Sequence, residues 1–185
     1  MTEADRRAAR SGTTGASDPY DAPEAPWRFR RPTEADHRFL VDRVDEWWGG
    51  RRIRAMFPRL WFQYFRGTSW VAETGDGRII GFLVAFVGQD DPTAGYIRLV
   101  GTDPNHRRGG LGRALYEQAF ADLRARGVRE VRAITWPGNR VSVAFHRALG
   151  FRVDDGPGTM ALYGTPAYPD YDGDGEDRVV LIREL

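Results

Sequence analysis

The sequence predicts one mixed α/β (α+β) domain around a single mixed sheet. Three observations lead there. Closely spaced strand patterns between residues 69 and 102 read as a meander. After them, strand and helix patterns alternate, which calls for crossover connections and a parallel pair. And 185 residues, 41% hydrophobic and 29% charged, suffice for one ordinary core.

The first element is "WRFRRP" (27–32), which alternates as a short strand. "TEADHRFLVDRVDEWW" (33–48) reads as one helix. Thr33 is a good N-cap, Glu34 and Asp36 lie in the first turn, and Phe39, Val41, Val44 and Trp47 or Trp48 recur at roughly helical spacing. "GGRR" ends it. "IRAMFPRLWFQYF" (53–65) is unusually aromatic and reads as one or two short helices around Pro58. Strands are expected over 69–74 and 78–89, joined by a hairpin turn at "GDG" (75–77), and over 95–102. A helix follows over 111–126, a strand over 128–136 and a short helix over 140–149. A loop-rich stretch over 154–177 then precedes the last strand, 178–185. Residues 1–26 have the composition of a disordered tail, so the domain is expected over 27–185.

Charge and composition exclude several classes. Twenty-seven basic side chains, all Arg, nearly cancel 26 acidic ones, for a net charge of +1. A nucleic-acid binder carries a clear basic excess, so no nucleic-acid partner is expected. There is no Cys, hence no thiolate nucleophile or Cys-ligated metal. His37, His106 and His146 lie far apart, and no metal site is expected. No apolar run approaches ~18 residues, so no membrane partner is expected either. The arginines near the N-terminus are followed by no apolar segment of a secretory signal, and a cytoplasmic protein is expected. "DYDGDGED" (170–177) imitates half a calcium loop at Asp170, Asp172, Asp174 and Gly175. Its twelfth position is Leu181 rather than Glu and a strand follows, so it reads as an acidic turn.

The most informative stretch is "HRRGGLGRAL" (106–115), a glycine-rich turn between a strand and a helix. The first turn of a helix has free N–H groups and a positive dipole end. Gly110 and Gly112 carry no side chain to keep an anion off those groups, and Arg107, Arg108 and Arg113 add positive charge. A P-loop, which needs a Lys, and a dinucleotide fingerprint, which wants its glycines after the first strand, both fit poorly, and a tight turn with solvated arginines is the plain reading beside the anion site.

"VGTDPNHRRGGLGRALYEQAF" resembles the acetyl-CoA-binding motif of the GNAT superfamily of N-acetyltransferases, Arg/Gln-x-x-Gly-x-Gly/Ala, with Arg107, Gly110 and Gly112 in place and Pro104 ahead of them. "NRVSVAFHRALGF" (139–151) is similar to the family's later helix. The resemblance covers about residues 27–185 and implies a mostly antiparallel sheet, flanked by helices, whose fourth and fifth strands splay at Val100–Thr102. Acetyl-CoA would lie there as cosubstrate. Backbone groups of Val100 and Thr102, with Gly101 between them, would meet its pantetheine. Arg107, Arg108, Gly109, Gly110, Leu111, Gly112 and Arg113 would cradle its pyrophosphate.

Asn139, Ser142 and His146 share a helical stripe, with Val141, Phe145, Ala148 and Leu149 left to face the core. The resemblance turns that polar stripe to the cofactor. His146 stands where many relatives have a Tyr proposed to protonate the leaving thiolate. Tyr96 occupies the position of the Glu that several relatives use as base. Asp90, Asp91 and water are the other candidates for that role, with a solvated loop as the plain reading of the two aspartates. Arg98 shares a strand face with Tyr96 and Val100, and either binds an acceptor carboxylate or pairs with an acidic neighbour. The aromatic run holding Trp47, Trp48, Met56, Phe57, Trp61, Phe62, Tyr64 and Phe65 is core in the main, with a share left for an acceptor pocket or a homodimer interface. The expected reaction is acetyl transfer to a primary amine, of a small molecule first, by direct attack. A protein N-terminal or lysine acetyltransferase and a non-catalytic acyl-CoA-binding regulator are the alternatives.

Overall fold

The computed structural model describes residues 26–185; the tail expected over 1–26 lies, but for Pro26, outside them. In chain order the strands are β1 (Arg28–Arg30), β2 (Trp70–Glu73), β3 (Ile79–Val87), β4 (Ala94–Thr102), β5 (Glu130–Thr135), β6 (Arg152–Val153), β7 (Met160–Leu162), β8 (Thr165–Ala167) and β9 (Val179–Glu184). One seven-stranded sheet runs β1-β2-β3-β4-β5-β9-β6, and β7 and β8 form a separate hairpin. β4 and β5 pair in parallel, joined by the long helix α4 (Leu111–Ala125), while the other pairs are antiparallel. No helix among the described residues is long and apolar enough to cross a membrane.

The sheet separates two apolar clusters. On one face α4 and α5 (Arg140–Ala148) cover Ile80, Leu83, Ala85, Ile97 and Val131, with Leu115, Tyr116 and Val143 pointing in. On the other, α1 (Glu34–Val41), α2 (Val44–Trp47) and α3 (Leu60–Tyr64) bury Leu40, Trp47 and Phe62 against Val71, Phe82 and Leu99. β3 is buried through most of its length because both layers press on it. At the β1 edge, Arg30 bridges Glu73 at 2.6 Å and Asp36 at 2.7 Å, tying α1 to the sheet. Burial alone would raise the Asp36 and Glu73 pKa values, but Arg30, joined by the Thr33 hydrogen bonds at Asp36 and by Arg28 at Glu73, outweighs it and holds both carboxyls below their ordinary range.

Three expectations are corrected. The helix expected over 33–48 is two helices, broken at Asp42 and Arg43. Arg43 folds back there, donates to the Phe39 carbonyl at 2.9 Å and stacks 3.8 Å above the Phe39 ring. The loop expected over 154–177 contains the β7–β8 hairpin. Its turn residues Tyr163 (φ 51°) and Gly164 (φ 79°) both take the left-handed backbone that a two-residue hairpin needs. Finally, β4 and β5 part earlier than Val100–Thr102, since their pairing stops at Ile97 and Ala133.

The parting coincides with a bulge. Val84 of β3 faces Leu99 and Ala85 faces Ile97, so Arg98 is an extra residue in β4. The bulge changes which side chains share a face. Ile97 and Val100 pack with the α4 cluster, whereas Leu99 packs with the α1–α3 cluster and Tyr96 stacks on Phe86 with Trp61 beyond. Tyr96 and Val100 therefore lie on opposite faces, and the shared face expected for them is overturned.

Gly101 shows how tightly this strand is held. A Cβ there would lie 2.5 Å from the Trp48 ring and 2.7 Å from Phe82. Trp48 thus seats α2 directly on β4. Gly101→Ala should destabilise the protein by about 1–3 kcal/mol in urea titration, as overpacking does. An unchanged midpoint would mean that Trp48 does not rest on this strand.

Candidate active site

Where β4 and β5 part, the sheet opens into a cavity of about 860 Å³. One wall is β4 from Ile97 to Thr102, and the other is the end of β5 with α5. Trp47, Trp48 and Met56 close it on the α1–α3 side, so the aromatic run does divide between core and pocket. Phe57 and Phe62 are core, and Tyr64 is 75% exposed. The β4 edge from Arg98 to Thr102 has no strand partner on the β5 side. Its backbone groups face the opening, ready for an extended polar chain.

At the mouth of the slot stands the N-terminus of α4. Its cap, Gly110, is left-handed (φ 85°), and a Cβ there would have nothing within 4 Å. No side chain caps the helix, so its first N–H groups remain available to an anion. Gly109 is nearly as open, with Trp27 4.0 Å from its would-be Cβ. The other expected members play different parts. Leu111 is 1% exposed, so only its backbone reaches the mouth. Gly112 faces Phe145 of α5, 3.4 Å from a would-be Cβ, which leaves room for the Ala that the motif also allows.

The arginines divide as well. The Arg107 guanidinium donates to the Trp47 carbonyl and, at 3.4 Å, to that of Thr102, stapling α2 to the end of β4. Arg113 donates to the Ala148 carbonyl at 3.1 Å, at the end of α5. Both were expected at an anion and instead satisfy protein carbonyls. Arg108, with φ 67°, is the exposed arginine of the turn that has no protein partner among the described residues.

The α5 wall departs from its expected stripe. Val143, His146 and Leu149 face inward, while Val141 is 81% exposed and Ala148 is exposed too. Asn139 caps the helix by accepting the Ser142 N–H at 3.2 Å. His146 is buried, with both nitrogens in use. Nδ1 lies 2.8 Å from the Ser142 carbonyl and Nε2 lies 2.8 Å from the Tyr116 hydroxyl. A carbonyl only accepts, so Nδ1 carries the proton and Nε2 accepts from Tyr116. His146 has no nitrogen left to face the slot, which corrects its expected role as a lone acid. The Tyr116–His146 pair is a dissociable group adjoining the cavity, whose lining also includes Glu176. Burial pushes the Tyr116 phenol well above its usual range. Tyr116 was missed in the sequence because it sits at a core position of an amphipathic helix.

A second cavity of about 620 Å³ adjoins the first. Tyr96 and Arg98 line it, as do Trp61 and Phe86. Burial is the main cause that pushes the Tyr96 phenol up to about 12, so it holds its proton at neutral pH and is no base. The structure does not bring Asp91 to the site. It lines neither cavity, and its carboxylate is bound by the Thr93 hydroxyl (2.7 Å) and N–H (2.9 Å) in the β3–β4 turn. Tyr171, Asp172, Glu176 and Arg178 also line this cavity, so the stretch read only as an acidic turn forms one of its walls.

The family model of the Acetyltransferase (GNAT) family matches residues 20–151. Among curated proteins, the chain is 26% identical over 176 residues to the L-2,4-diaminobutyric acid acetyltransferase of Nocardia farcinica, covering 85% of this chain and 88% of that one. It is 30% identical over 108 residues to the [ribosomal protein bS18]-alanine N-acetyltransferase of Escherichia coli K12, covering 58% and 66% respectively. Among solved structures, the diaminobutyrate acetyltransferase of Paenibacillus lautus, in complex with L-2,4-diaminobutyric acid and coenzyme A, superposes with a TM-score of 0.61 at 22% identity, over 84% of this chain and 93% of that one. At that identity the likeness shows a shared fold.

The clamp on His146 is open to test. Burial lowers its pKa, against a smaller opposite pull from the Ser142 carbonyl. The ring should stay neutral below pH ~6.5, the ordinary midpoint. The unfolded chain takes up the proton first as pH falls, so this group's contribution to stability is lost progressively below that point. In ¹⁵N NMR, Nδ1 should carry the proton and the midpoint should lie under ~6.5. A proton on Nε2, or a raised midpoint, would contradict the clamp.

Proposed function

The chain belongs to the GNAT acetyltransferase family, and from that membership we propose that it moves an acetyl group from acetyl-CoA to the primary amine of a small molecule. The observation that carries this reading is the slot itself, an unpaired β4 edge leading to an uncapped helix N-terminus. The residues fit the cosubstrate. The ground above Gly109 and Gly110 is open, the first N–H groups of α4 are free and Arg108 is available for phosphate, while the β4 edge offers hydrogen bonds along the slot.

Acetyl-CoA supplies the activated acetyl group. The chain holds it, keeps water out of the slot and aims the acceptor. Backbone polarisation of the carbonyl beside the bulge lowers the barrier further. Attack is direct, since the sequence has no Cys and no Ser in a nucleophile motif. One N–H proton of the amine is lost and one proton is gained by the sulfur, so the reaction balances without an outside acid. His146 stands where many relatives place a Tyr, and the Tyr116 hydroxyl bonded to it is the proton source: on turning from His146 Nε2 toward the slot it gives its proton to the sulfur, and the phenolate then takes up the proton that the amine has released.

Two points support a small acceptor: the aromatic walls of the second cavity and the similarity over most of the chain to an enzyme named for a diamino acid. The shorter similarity to an enzyme named for a protein N-terminus keeps a peptide amine as the second reading.

Calorimetry with acetyl-CoA tests the cosubstrate. Gly110→Glu should abolish binding. Gly110→Ala, which bears the same left-handed backbone strain without charge, should retain much of it. If wild type does not bind acetyl-CoA, the proposal fails. Thiol release against free amines and an alanine-initiated peptide then decides between acceptors. Tyr116→Phe should lower kcat by about 100-fold, as loss of a general acid does, while His146→Tyr should keep most of it. Equal rates for wild type and Tyr116→Phe would remove the pair from the chemistry.

A further inference from the structure

The second cavity has an uneven distribution of charge. Two arginines line it, Arg98 and Arg178. Arg178 is fully engaged: it meets Asp172 at 2.8 Å, Glu176 at 2.5 Å and the Asp177 carbonyl at 2.8 Å, and its side chain is 12% exposed. Arg98 has no hydrogen bond or ion pair among the described residues. It is half-buried at the bulge and lines both cavities, so the residue stands at their junction.

An arginine held in a partly dry pocket without a counter-ion is costly unless a ligand supplies one. The guanidinium suits a planar anion, and carboxylate matches its fork. Across from it, Asp172 and Glu176 outnumber Arg178 by one charge, so the loop side favours a cation. Between them lies an aromatic wall. Trp61 and Phe86 stack with 7° between planes, and Phe86 and Tyr96 with 17°. An ammonium or a methylene chain rests well on such faces.

Building on the acetyltransferase reading, we propose that this cavity is a built subsite for an acceptor that carries a carboxylate beside its amine, that is, a free amino acid, with Arg98 as the residue that binds the carboxylate. The Arg98 bulge thus opens the slot and selects the acceptor. The acidic loop formed by residues 170–177 orients the cationic end.

The test compares each amino acid with its decarboxylated amine: L-2,4-diaminobutyrate with 1,3-diaminopropane, and L-phenylalanine with phenethylamine. Thiol release is measured for wild type, Arg98→Gln and Arg98→Lys, and calorimetry follows L-2,4-diaminobutyrate binding to each protein saturated with CoA. Wild type should prefer at least one amino acid over its decarboxylated partner by about 10- to 100-fold in kcat/KM, the range of a charge-assisted pair. Arg98→Gln should bring that ratio near one, mainly through KM, and weaken calorimetric binding by a similar factor. Arg98→Lys should fall between, since it keeps the charge and loses the fork. If wild type prefers no amino acid, or if Arg98→Gln keeps the preference, the subsite is overturned while the acetyltransferase reading stands. If acetyl-CoA itself does not bind, that reading fails and the subsite falls with it.

Discussion

The opening in the sheet depends on one extra residue in the middle of β4. With Arg98 inserted between Ile97 and Leu99, the ladder to β3 is kept on both sides of the bulge, while pairing to β5 ends at Ile97. Bulges bend a strand and end its pairing, and here both happen at once. The slot between the strands, the free backbone edge and the cavity all follow from that departure. Since β4 and β5 are joined through α4, the same crossover that makes them parallel also brings a helix N-terminus to the mouth of the slot.

Charge is arranged economically around this opening. A turn rich in arginine suggests a pool of positive charge, yet two of the three side chains hold protein carbonyls together. Arg107 fixes α2 to β4, and Arg113 fixes α4 to α5. What they contribute is geometry, keeping the walls of the slot at a set distance from each other. The attraction for an anion comes instead from the backbone of α4 and from Arg108. The same economy holds on the α5 wall, where the Ser142 carbonyl fixes the proton of His146 and so leaves the Tyr116 hydroxyl in one orientation.

Much of the fold was legible in the sequence, because the strand and helix periods are clear and the glycine turn marks a helix start. Gly110 declared itself by position, next to a helix start. Other parts depend on contacts between distant segments, which no local pattern reports. Gly101 is glycine because Trp48 rests on it, and Tyr116 bonds to His146 thirty residues away. Asp91 looked like a base by proximity to the strand, but it lines neither cavity and its Oδ1 accepts from Thr93 within the turn. The bulge was invisible for a plainer reason. Strict alternation along β4 puts Tyr96 and Val100 on one face, and one inserted residue shifts that phase. The hairpin of β7 and β8 was missed although its turn left a local sign, since Tyr163-Gly164 does the work more commonly seen with Asn-Gly.

The phase shift at Arg98 also separates folding from function along the chain. Without that residue, Tyr96, Ile97, Leu99, Val100 and Gly101 would keep the faces they now have, and β4 would become a regular strand. Nothing in either core would be lost, and the ladder to β5 would be free to continue and seal the sheet. A shorter chain would then be a more orderly protein with no place for a substrate. The site is therefore an irregularity of length, carried by a fold that does not need it. At this position the presence of a residue makes an opening, and its identity decides what enters.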